Sequence, residues 1–165
     1  MGNGQDHNGH IELDGDFSGS VPVKADSALR VTVPARFKQI LDAKCGDGPA
    51  VVVLLPAPGK VRVLPWPAWL KEKQQIDSLP AMDPNARKLR NLVYGTKVEC
   101  QLDAQNRIRL TPELARLAGI SKDCVFVGSQ HEMEIWDASS WAAFTTSSVG
   151  NLDDLYAAVF QGMKG

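Results

Sequence analysis

Cysteine and histidine are scarce in this sequence, three of each in 165 residues. Cys45, Cys100 and Cys124 stand far apart with no C-x-x-C pair, and His7, His10 and His131 add no ligand cluster, so no metal site is expected. The thiols are expected to be free and mostly buried, as in a reducing compartment. No apolar run approaches the ~18 residues that a membrane-crossing helix needs, and no leader pattern opens the chain. A cytoplasmic chain with no membrane contact is the expectation. An excess of one charge is missing too: the formal net charge is -1, which gives no global attraction to a polyanion.

The distribution of charge is uneven. Phe17 to Lys44 holds five basic side chains against two acidic ones, and Pro84 to Arg116 holds seven against three. These two positive zones contain a repeated sentence, "DSALRVTVP" (Asp26 to Pro34) and "DAQNRIRLTP" (Asp103 to Pro112). In each copy a D-x-x-x-R turn leads into a period-two strand, "RVTV" or "RIRL", with Val31 and Val33, or Ile108 and Leu110, on one face. Proline then ends the strand, Pro34 or Pro112 suits the first turn of a helix, and apolar residues follow at helical spacing. Thr111 is placed to cap the second of these helices at its start and Gly119 at its end.

An apolar hairpin follows in each half, Ala50 to Trp66 and Asp123 to Asp137, with His131 at a hairpin bend. Trp69 and Trp141 then occupy matching places, so packing is the reading for the tryptophans. Between the halves, Asp83-Pro84 begins a helix and Gly95 ends it. Residues 1–16, rich in Gly, Asn, Asp and His, read as a disordered tail. Residues 145–165 read as a helical tail, with Leu152, Leu155, Tyr156 and Val159 on one side to cover this fold or a neighbouring subunit.

Asp commonly bonds the backbone amides of the turn it begins, so Asp26 and Asp103 are structural turn residues. An arginine on a rigid turn is pre-organised to donate to guanine or phosphate. Arg30 and Arg107 are therefore the leading DNA contacts. Arg36, Lys38, Arg87, Lys97 and Arg109 are candidates for phosphate contacts. A catalytic carboxylate dyad of Asp26 and Asp103 is disfavoured, since an arginine four residues after each would keep both ionised. No enzyme is expected.

With these motifs in place, the sequence resembles the MraZ family, bacterial transcriptional regulators with two repeats of the AbrB-like kind. The resemblance runs from Phe17 to about Trp141. It rests on "DSALR" and "DAQNR", on "VPARF", on "MDPNARKLRNLVYGTKVECQLD" between the halves and on "EIWD" near the end. It implies a mixed, mainly β fold with short helices, in which two AbrB-like repeats (17–82 and 99–144, joined by a linker helix over 83–98) interlock in one swapped-hairpin, double-psi-like barrel. It further implies homo-oligomers joined in a ring, a nucleoid-associated protein, and binding to short direct repeats of double-stranded DNA upstream of the division and cell-wall gene cluster. Neither a cofactor nor a small-molecule substrate is implied.

The first copy departs from the family pattern: Ser18 stands where Arg is usual, and Ala28-Leu29 where Lys-Gly is usual. Leu29 falls where the turn calls for a left-handed residue, which predicts a first turn of changed shape, while Asn106 in the second copy tolerates that conformation. The alternative reading that follows is a ring-forming scaffold descended from such a regulator, with DNA binding weakened or lost.

Overall fold

Two sheets organise the chain in the computed structural model, which describes residues 15–163. The expectation for the first sixteen residues falls almost wholly outside that range. The first half contributes β1 (Ser20–Lys24), β2 (Arg30–Thr32), α1 (Ala35–Cys45), β3 (Val51–Ala57), β4 (Lys60–Pro65) and α2 (Trp66–Asp77). After α3 (Pro84–Thr96), the second half repeats the order as β5 (Val98–Gln101), β6 (Arg107–Arg109), α4 (Pro112–Ala118), β7 (Asp123–Ser129), β8 (Glu132–Asp137) and α5 (Ala138–Gly150). A last helix, α6, spans Leu152–Gly162.

The halves exchange strands. The large sheet runs β1-β7-β8-β4-β3-β5, antiparallel throughout, so β1 pairs with the second half's hairpin and β5 with the first half's. β4 and β8 meet in the middle. The two shortest strands, β2 and β6, pair with each other as a separate antiparallel ribbon. Three residues of strand cannot hold a structure alone; here each inserts one apolar side chain, Val31 or Ile108, both fully buried, against a common core.

That core lies between the ribbon, α1, α4 and the inner face of the large sheet. Phe17, Phe37 and Phe126 form an edge-to-face chain through it, with centroid separations of 6.0 and 6.3 Å. β3 and β7 are buried on both faces, which accounts for their unbroken apolar sequence. On the outer face, α2 seals Val53, Leu55 and Leu64 under Trp69, while α5 covers Val125, Val127 and Trp136 with Trp141. The matching tryptophans thus close matching halves, and each buried large side chain contributes about 1.5–3 kcal/mol.

Local signals fix most helix ends. Thr111 Oγ1 accepts the Leu114 N–H at 3.1 Å, Asp83 accepts the Asn85 N–H at 3.0 Å, and Gly119 takes a left-handed φ of 66° after α4. Pro34 differs from the expectation by one place. It precedes α1, and its carbonyl accepts the Phe37 and Lys38 amides. Gly95 does not end α3, which continues to Thr96 before Lys97 turns extended. The C-terminal region holds two helices rather than one tail, because α5 runs unbroken past residue 144 to Gly150 and Asn151 separates it from α6. The thiols also differ from expectation. Only Cys124 is buried, its thiol pushed up to about 11 by desolvation, whereas Cys45 and Cys100 are partly exposed. Among the described residues, no helix is long and apolar enough to cross a membrane and no cluster could hold a metal ion.

Candidate nucleic-acid interface

Each D-x-x-x-R turn is a three-residue hairpin loop closed by a bulge. In the first, the Leu29 amide donates to the Asp26 carbonyl at 2.9 Å and the Asp26 amide to the Arg30 carbonyl at 3.0 Å. In the second, the same two bonds join Asn106 to Asp103 and Asp103 to Arg107, at 3.0 and 3.1 Å. The carboxylates reinforce this frame. Asp26 Oδ1 accepts the Ala28 and Arg30 amides, and Oδ2 accepts Arg30 Nε at 2.7 Å. Asp103 treats Gln105 and Arg107 alike, with Arg107 Nε at 2.8 Å.

The expected change of shape in the first turn does not occur. Leu29 adopts φ 61°, beside 59° for Asn106. A left-handed leucine costs about 1–2 kcal/mol, and this one offsets the cost by packing half-buried against the core. Its carbonyl also accepts the Leu110 amide, as that of Asn106 accepts the Val33 amide, both at 2.9 Å. Each turn is thereby tied to the end of the other copy's strand. Ser18, the other departure, lies where the backbone crosses Gly128.

Both carboxyls are held below the ordinary value of 3.8, chiefly by the arginine backbone amide; desolvation opposes this, and the arginine side chain and the second turn amide add to the lowering. Because the ionised form is favoured in the fold, the turns keep their full contribution above the ordinary value and lose it as pH falls through the lowered one. Following the Arg30 and Arg107 amide resonances in an acid titration should give midpoints below pH 3.8. Midpoints at or above 3.8 would show that these bonds do not form.

The ribbon register decides what the arginines present. Arg30 pairs with Arg109, Val31 with Ile108, and Thr32 with Arg107. Since Val31 and Ile108 point inward, strand alternation turns Arg30, Thr32, Arg107 and Arg109 to the opposite, outer face. The two turns sit at opposite ends of this ribbon, about 7 Å apart along it at ~3.4 Å per residue. Each turn arginine is anchored to its own aspartate through Nε. Arg107 also donates from Nη2 to Gln105 Oε1 at 3.2 Å, and its side chain is 27% exposed against 41% for Arg30.

Arg109 is exposed, and no salt bridge involves it among the described residues. The remaining predicted contacts lie elsewhere. Arg36, on α1, rests over Phe37 and beside Gly19, and Lys38 pairs with Asp42. Arg87 is exposed on α3. Lys97 is drawn inward: its ammonium pairs with Glu99 at 2.8 Å and lies over the Trp69 and Tyr94 rings. The two rings belong to α2 and α3. Thr32 went unremarked in the sequence, though its alternation with Val31 and Val33 signals its outward face.

Such a face can donate charge-assisted hydrogen bonds to phosphates or to base edges. The two turn carboxylates are each committed to their own arginine.

Residues 93–158 match the family model described as "MraZ protein, putative antitoxin-like". A protein of Acidithiobacillus ferrooxidans named "Transcriptional regulator MraZ" is 40% identical over 131 residues, covering 77% of this chain and 86% of that protein. Proteins of the same name from Nitrosospira multiformis and Limosilactobacillus fermentum are 33% and 32% identical, covering 76% and 90% of this chain and 84% and 99% of their own lengths. These relatives are named as regulators, not enzymes. On identity and coverage, then, this chain belongs to the MraZ family.

Proposed function

We propose that this chain is a transcriptional regulator that binds double-stranded DNA sequence-specifically through the outer face of the β2–β6 ribbon. One observation carries the reading: Arg30 lies directly opposite Arg109, with Arg107 on the same face. Like charges opposed across a strand pair are destabilising, and a polyanion in front of them reverses the sign. The major groove admits a two-stranded ribbon. In this reading Arg30 and Arg107 reach base edges while Arg109 positions the ribbon on phosphate. Arg36 and Arg87 stand outside the ribbon and contribute at most peripheral phosphate contacts.

The target is the short direct repeats upstream of the division and cell-wall gene cluster, bound on the nucleoid in the cytoplasm by several copies joined in a ring. Exchange of β1 and β5 between the halves supports two AbrB-like repeats, 17–82 and 99–144, interlocked as swapped hairpins about the 83–98 linker. The retained shape of the first turn favours this reading over a scaffold that has lost its DNA. Fluorescence anisotropy should show the full chain preferring a duplex of the direct repeats over a scrambled one, with affinity falling steeply as salt rises. Equal, salt-insensitive affinity for both duplexes would end the regulator reading.

A further inference from the structure

A cleft of about 360 Å³ opens where β4, α2, the last turn of α1 and the β7–β8 bend meet. Leu64, Pro67 and Ala68 form its apolar wall, and Lys44, Lys71 and His131 stand around it. The duplication supplies an internal control. At the matching places of the second half, Trp136 stands for Leu64 and Phe144 for Glu72, with ring centroids 4.9 Å apart. Ala143 stands for Lys71, and Gly59 for His131. α1 has 11 residues against 7 in α4, and the added turn carries Lys44. Packing of this architecture therefore requires neither the opening nor the cations: the second half fills the place with two rings, while the first leaves it open and lines it with positive charge.

Those charges are available to a ligand. The carboxylates at the cleft, Glu72 and Glu132, are taken by Arg62, which donates to Glu132 from Nε and Nη2 and to Glu72 from Nη1 and Nη2, at 2.8–3.2 Å. Both edges of that guanidinium are thereby occupied. Among the described residues no carboxylate pairs with Lys44 or Lys71, and the Lys44 ammonium lies over the Phe17 ring at 5.7 Å. Two ammoniums lack the flat fork that matches a carboxylate and act as point charges. They suit a compact dianion, and a phosphate monoester carries about -1.5 to -2 at neutral pH. The apolar wall beside them favours a phosphate with a hydrophobic body over the free ion.

We propose that this cleft binds a small phosphate monoester, its phosphate held by Lys44 and Lys71 with a hydrogen bond from His131 and its apolar body lying on Leu64, Pro67 and Ala68. α2 packs on the outer face of the large sheet, away from the β2–β6 ribbon, so the site is separate from the DNA face. It stands or falls independently of the regulator reading.

Calorimetric titration of the full chain with phenyl phosphate tests the site. Saturable binding is expected, at least about tenfold tighter than that of inorganic phosphate because the ring is buried. Lys44→Ala and Lys71→Ala should each raise Kd about tenfold, whereas Lys88→Ala, on the exposed face of α3, should leave it unchanged. Lys71 is exposed, so Lys71→Ala should unfold in urea at the wild-type midpoint, which separates a lost contact from a damaged fold. Absence of binding, equal affinity for inorganic phosphate, or an unchanged Kd in both cleft variants would overturn the proposal. So would benzoate binding as tightly as phenyl phosphate, which would remove the preference for phosphate. Displacement of phenyl phosphate by the direct-repeat duplex would overturn it too, by making these lysines a contact to the DNA backbone.

Discussion

Arg30→Ala and Arg107→Ala are each expected to weaken binding to the direct repeats by about 1–3 kcal/mol, roughly 5- to 150-fold, and to flatten the preference over a scrambled duplex. Arg109→Ala should act differently. As a positioning contact, it should weaken both duplexes alike and reduce the salt slope by about one. The double variant Arg30→Ala/Arg109→Ala should show coupling, since the two face each other across the ribbon. The folded state argues the other way from the complex for Arg109: removing it relieves repulsion with the opposed Arg30, so Arg109→Ala should be as stable to urea as the parent, or slightly more so, whereas Arg30→Ala and Arg107→Ala also give up their bonds to Asp26 and Asp103 and should lose a little stability. A loss of DNA binding accompanied by raised stability cannot be attributed to unfolding. Normal, salt-dependent binding by the triple variant Arg30→Ala/Arg107→Ala/Arg109→Ala would place the interface elsewhere.

Gly128→Ala is expected to be among the most destabilising single changes in the chain. A Cβ at this position would stand 2.3 Å from the Ser18 amide nitrogen and 2.4 Å from the Phe17 carbonyl carbon. Both are backbone atoms of the segment that crosses β7, held there by bonds from Phe17 to Gln130 and from Gly128 to Gly19, each 2.8 Å. Relief requires lifting that segment, which withdraws Phe17, 1% exposed, from its contact with Phe37. Overpacking of this kind costs about 1–3 kcal/mol, and partial loss of a buried phenylalanine adds about 2 kcal/mol. Urea unfolding should register about 3 kcal/mol. Gly150→Ala is the control, for a Cβ there meets nothing within 4 Å and a helical alanine is slightly favourable. Equal stability of the two variants would mean that the segment does not lie against β7.

Features set by neighbours in sequence were legible from sequence. The Thr111 cap, the Asp83-Pro84 start and the Gly119 end depend on contacts within a few residues, as do the turn bonds of Asp26 and Asp103. Features set by distant partners were not. Leu29 was expected to distort its turn because the cost of its backbone is local, while the packing that offsets it comes from the core. Lys97 looked free because Trp69 is remote in sequence. The arginines were individually visible, but their meeting on one face required the pairing of strands from the two copies. Gly128 gave no sequence signal at all, since what crowds it is backbone more than a hundred residues earlier.

The exchange of strands also bears on how the chain comes into being. β1 finds its partner only in β7, with Ser20 opposite Val127. At ~5–20 residues per second, a ribosome delivers that partner roughly 5–20 seconds after β1 has been made. Within that interval β3 also waits for β5, which emerges shortly before β7, while β4 waits for β8, which follows it. Neither half completes a sheet by itself, so folding must wait for nearly the whole chain and pass through contacts of high sequence separation. The price of presenting four outward side chains on one short ribbon is a nascent chain that stays open to aggregation, or to exchange with a neighbouring copy, until its last strands appear.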